Sequence, residues 1–222
     1  KILYVVILCF ISNIAITQEL SIQTGHSAGI TDLVFTPDGK FLLSAGEDSK
    51  IILWDMISSR QMNIFSGHIR TVNSLDVHPS KKLIVSASDD KTVKIWEYPS
   101  GKLVKDFNFF EFPVKSVRFS PDGKQLACGS DSVYLVNIET GEFSKIGKFA
   151  RKGYNALDYS NDGKFLAFGG KKSRKIYIYN LESNKVYKRI LNHSNDLLFD
   201  NQDRFVLSAG QSGNIKRIPV NK

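Results

Sequence analysis

The chain has 222 residues, long enough to bury a sizeable core in one or two domains. Its hydrophobic content of 42% and charged content of 23% are those of an ordinary globular protein and exclude a disordered one. The net charge of +8 is moderate but unevenly spread, and no polar or Pro/Ser-rich linker marks an internal domain boundary.

Residues 1–17 stand apart. The stretch "KILYVVILCFISNIAIT" joins a Lys, an unbroken apolar run from Ile2 to Ile11, and then small and polar residues. That is the shape of a secretory signal peptide. The run is about half of the roughly 20 apolar residues that a spanning helix needs, and a short membrane anchor is the alternative reading. Cleavage is expected between Ala15 and Gln18, which makes the protein an exported one, of periplasm, cell surface or extracellular space. The first residue is Lys rather than Met, so the chain is expected to lack its start. Cys128 is then the one cysteine of the mature chain, expected to be buried as a small hydrophobe.

From Gln18 onward the sequence repeats. The apolar residues just before each turn are Phe35, Val77, Phe119, Tyr159 and Phe199, at intervals of 42, 42, 40 and 40. The turns follow as Pro37-Asp38-Gly39, Pro79-Ser80-Lys81, Pro121-Asp122-Gly123, Asn161-Asp162-Gly163 and Asn201-Gln202-Asp203. After each turn comes a short apolar strand, such as "FLLSAG" or "LIVSAS". An alternating stretch such as "KIILWD" or "TVKIWE" comes next and predicts a half-buried strand. Segments such as "RQMNIF" and "KLVKDF" supply a fourth strand in most units. No segment outside the N-terminal run has a convincing helical period. The sequence therefore predicts an all-β fold of four-stranded units at the roughly 40-residue period of propeller blades. The units cover 25–66, 67–108, 109–148, 149–188 and 189–222, after a leading strand at 18–24.

These units resemble WD repeats over residues 18–222. Gly25-His26 with Trp54-Asp55, and Gly67-His68 with Trp96-Glu97, carry both ends of the signature. In the other units the His position holds Phe110, Ala150 and Ile190, and the Trp position holds Val136, Tyr179 and Ile218. The resemblance implies a non-enzymatic scaffold without cofactor or metal. It also implies a propeller closed by the N-terminal strand, or else the N-terminal part of a larger protein of exported bacterial type.

His26, Ser44 and Asp48 look like a hydrolase triad. His68, Ser86 and Asp90 repeat them at the same separations, with Trp54 and Trp96 each six residues after the Asp. A catalytic constellation has no reason to recur in adjacent units with a Trp attached. The resemblance implies instead two structural tetrads, each a buried hydrogen-bonded chain from Asp through His and Ser to the indole N–H. His78 and His193 stand alone near turns or loops, with no second His or Cys at metal-ligand spacing.

Antiparallel alternation puts the entry to each blade and the connection between its second and third strands on one rim. Phe109, Phe110 and Phe112 enter blade three there; Lys148, Arg151, Lys152 and Tyr154 enter blade four, which adds Lys171, Lys172, Arg174 and Lys175. Residues 145–189 hold 12 Lys and Arg against 3 Asp and Glu, and the remainder of the chain is close to neutral. The rim reads either as ordinary solvated surface or as a binding face with aromatic anchors. A protein or peptide is the expected partner of a monomeric scaffold with no small-molecule substrate. The alternatives are an anionic polymer (acidic glycan, envelope phosphate or nucleic acid) and an enzyme whose catalytic domain lies beyond Lys222.

Overall fold

The structure is a computed structural model and describes residues 25–146, 153–170, 175–191, 195–210 and 215–220. The described residues form five antiparallel sheets and no α-helix. The first sheet is β1 (Ile30–Phe35), β2 (Phe41–Gly46), β3 (Ile51–Asp55) and β4 (Arg60–Phe65). The second is β5 (Val72–Val77), β6 (Leu83–Ser88), β7 (Val93–Glu97) and β8 (Lys102–Phe107). The third is β9 (Ser116–Phe119), β10 (Gln125–Gly129), β11 (Val133–Asn137) and β12 (Phe143–Ile146). The fourth is β13 (Ala156–Tyr159), β14 (Phe165–Gly169), β15 (Lys175–Asn180) and β16 (Lys185–Leu191). The fifth has three strands, β17 (Asp196–Phe199), β18 (Phe205–Ala209) and β19 (Ile215–Pro219). The predicted leading strand at 18–24 lies outside the described residues.

Every pairing joins strands consecutive in sequence, as in propeller blades. The turns from first to second strand explain why. Thr36, Ser120 and Ser160 each donate a hydroxyl hydrogen bond to the Asp two residues on, at 2.6, 2.6 and 2.7 Å. Gly39, Gly123 and Gly163 then take φ near +70°, where a Cβ would be strained. Blade two has His78 at that position. Its Nδ1 accepts the N–H groups of Ser80 and Lys81, and its Nε2 lies 3.2 Å from the Gly123 carbonyl. This isolated histidine is a buried turn residue; His193 lies outside the described residues.

The first strands lie side by side in the order β1, β5, β9, β13, β17, and apolar cores fill the four seams between the blades. The third strands differ from expectation. Ile51 to Trp54 are all buried, as are Val93 to Trp96, because a neighbour or the blade's own entry segment covers each face. Lys94 is buried within that run and pairs with Asp106 of β8. Cys128 is fully buried, and burial pushes its thiol pKa far above the usual range.

Among the described residues, no segment covers the corresponding face of β1 in blade one. Leu33 and Phe35 are 55% and 57% exposed, whereas Leu75 and Val77 at the same places in blade two are 2% and 9% exposed.

Candidate functional site

The two tetrads are built alike. The Nδ1 of His26 lies 2.9 Å from Asp48, its Nε2 lies 2.8 Å from the Ser44 hydroxyl, and Trp54 donates its indole N–H to Ser44 at 2.8 Å. In blade two the corresponding distances are 2.7 Å from His68 to Asp90, 2.7 Å to Ser86, and 2.8 Å from Trp96 to Ser86. Burial pushes the Asp90 carboxyl up, but hydrogen bonds from His68, Thr92 and the Ile69 N–H prevail and hold it well below the usual range. An ionised Asp fixes the His proton on Nδ1, so Nε2 accepts from Ser and Ser accepts from Trp. The serines are 1% and 0% exposed, and each hydroxyl is engaged by both the histidine ring and the indole N–H. The arrangement orients side chains and leaves no room for nucleophilic attack.

The candidate rim is less uniform than its sequence. Phe112 is 51% exposed, and Phe109 is half-buried with its ring stacked on Phe143 at 4.1 Å. Phe110 and Tyr154 do not belong to a binding face. Phe110 is buried against Tyr134, with ring centroids 4.9 Å apart, and Tyr154 is buried edge-on to Phe168 at 5.2 Å. Phe110 stands at the sequence position of His26 and His68, and Tyr154 packs on Phe168, which stands at the position of Ser44 and Ser86. Lys175 is half-buried at the start of β15. Lys148, Arg151, Lys152, Lys171, Lys172 and Arg174 lie outside the described residues.

Sequence reasoning missed a row of polar groups that links the first strands of neighbouring blades. Asp32, Asp76 and Asp158 each accept the backbone N–H of the next blade's first strand, from Leu75, Phe119 and Phe199, at 2.7, 2.7 and 2.6 Å. Arg118 stands among them and donates to the Leu75 carbonyl and Ser74. Burial raises the Asp76 carboxyl and raises that of Asp158 to about 6, although Arg118 and the accepted N–H groups oppose it. The available signal was the charged residue inside the apolar "LDV", "VRF" and "LDY". Among the described residues, no three His, Cys, Asp or Glu groups are placed to hold a metal ion.

Comparison with known proteins bears on this geometry. The model of the WD domain, G-beta repeat, matches residues 17–55 and 59–97. The model of eukaryotic translation initiation factor eIF2A matches residues 116–216. The WD repeat-containing protein ATCSA-1 of Arabidopsis thaliana is 49% identical over 43 residues, a match covering 19% of this chain and 10% of the plant protein. With the two tetrads at the matched repeats, residues 17–97 are similar to WD repeats.

Proposed function

We propose that the chain is a non-enzymatic interaction scaffold that binds an acidic protein or peptide on the rim of its third and fourth blades. The observation that carries this reading is charge: residues 145–189 hold 12 basic and 3 acidic side chains. Such a cluster speeds encounter with anionic partners and weakens with salt, since the Debye length is about 8 Å at physiological ionic strength. Exposed Phe112 on the neighbouring entry segment adds contact that salt does not remove. The burial of both Ser–His–Asp sets against tryptophan supports a scaffold over a hydrolase. In binding kinetics with a captured partner, reversing Lys171, Lys172 and Arg174 to Glu is expected to slow association and flatten its salt dependence. Phe112→Ser is expected to speed dissociation. Unchanged kinetics in both variants would leave the rim as solvated surface.

A second reading is an anionic polymer, nucleic acid included. The match to the model of a translation initiation factor spans the whole basic segment and supports this reading through the role that name carries. The apolar N-terminal run favours export instead. Cell fractionation separates the two: a mature chain outside the cytoplasm, with a new N-terminus near Gln18, removes the translation reading.

A further inference from the structure

At each seam between blades, one fourth-strand side chain faces the next blade. Asn63, Lys105, Ser144 and Lys188 are equivalent by register, opposite Leu53, Ile95, Leu135 and Ile178. Three of them reach across. Asn63 donates to the carbonyls of Pro99 and Ser100 at 2.9 and 3.0 Å. Lys105 donates to those of Ile138 and Glu139 at 2.5 and 2.7 Å, and Lys188 to that of Pro219 at 2.8 Å. Ser144, between blades three and four, is too short to do so, and a cleft of about 820 Å³ opens beside it.

The cleft has the chemistry of the missing group's counterpart. Among the described residues, its lining includes the carboxylates of Asp122, Glu142 and Asp162 and no Lys or Arg, in a chain of net charge +8. Leu135 and Leu181 supply apolar wall. Tyr159 forms part of that wall, is 7% exposed, and has a buried hydroxyl with no hydrogen-bond partner. Leaving such a group unpaired is costly. The volume lies within the range of ligand sites.

We propose that this cleft binds a lysine side chain presented on an extended segment of a partner protein, its ammonium taking the place that Lys105 and Lys188 fill at neighbouring seams. At both of those seams the donor is a lysine carried by a β-strand, which is why a peptide is the occupant. The apolar stem lies along Leu135 and Leu181, and the ammonium finds the several acceptors that its three N–H groups require. The site is built from turns at the rim opposite the basic one, so it does not depend on the function proposed above.

The test is calorimetric titration of the 222-residue chain with acetyl-Thr-Val-Lys-Val-Thr-amide, with the same peptide carrying norleucine for lysine, and with spermidine. The lysine peptide is expected to bind at least about tenfold tighter than either control. Ser144→Lys fills the cleft from within; it is expected to abolish peptide binding and to raise the thermal midpoint. Glu142→Gln, on an exposed turn, is expected to keep the fold and weaken binding several-fold, and it serves if Ser144→Lys does not fold. No binding at millimolar peptide, equal binding of norleucine peptide or spermidine, or unchanged binding by both variants would each overturn the proposal.

Discussion

In blades one and two a serine hydroxyl sits between an indole N–H and a histidine nitrogen. In blades three and four the same register positions hold Cys128 and Phe168, with Val136 and Tyr179 in place of tryptophan. The polar chain has been exchanged as a set, because removing one member leaves the others buried and unpaired, whereas replacing all of them by apolar groups is nearly neutral. His68→Ala breaks the set at its centre. Its expected cost is about 1–3 kcal/mol, read as a lower denaturation midpoint; an unchanged midpoint would contradict the structural role. Asp158 gives a second prediction at this scale. Its carboxyl is held at about 6 against an ordinary 3.8, chiefly by burial, so the folded chain binds that proton more tightly than the unfolded chain. The resulting stability is complete below about pH 4 and lost as pH rises through about 6. Asp158→Asn is expected to flatten that slope, leaving the part due to Asp76, and to stabilise the fold near pH 7 by about 1–3 kcal/mol. Equilibrium unfolding at pH 4, 5, 6 and 7 would show it, and an Asn variant with the parent's slope would refute it.

At the scale of strands and turns, much was legible. Second strands begin where the Asp-Gly or Pro turn ends, because the turn residues fix the φ values that reverse the chain. Burial on both faces was not legible, since the alternation in "TVKIWE" looks half-exposed until the buried Lys94 is seen to pair with Asp106 at the edge of the sheet. Nor could spacing decide which aromatics of "NFFEFP" turn inward: Phe110 does, against Tyr134, while Phe112 does not. The reach across each seam needed the fourth-strand register, which the short β12 obscures. Lys105→Met keeps the apolar stem and removes the donor to two carbonyls. A loss of about 0.5–1.5 kcal/mol is expected, measured against Lys102→Met on the exposed start of the same strand, which is expected to change little.

For the molecule as a whole, the exposed Leu33 and Phe35 of blade one and the three described strands of the fifth sheet pose the question of closure. Gln18–Gln23 stands before Gly25 at the spacing that Arg60–Phe65 keeps before Gly67, and the WD match begins at residue 17. Deleting residues 18–24 is therefore expected to lower the unfolding midpoint and promote aggregation through the freed edge of β19. A monomeric deletion variant of parental stability would mean that this segment is no blade strand. The connectivity has a consequence for biogenesis. Since each sheet pairs only consecutive strands, a blade needs no residue made after its own last strand. Blade one can be hydrogen-bonded once residue 65 has left the ribosome, and each later blade then docks on a finished surface. A nascent chain of this connectivity therefore gains stable structure blade by blade, from the second blade onward, rather than only at its completion.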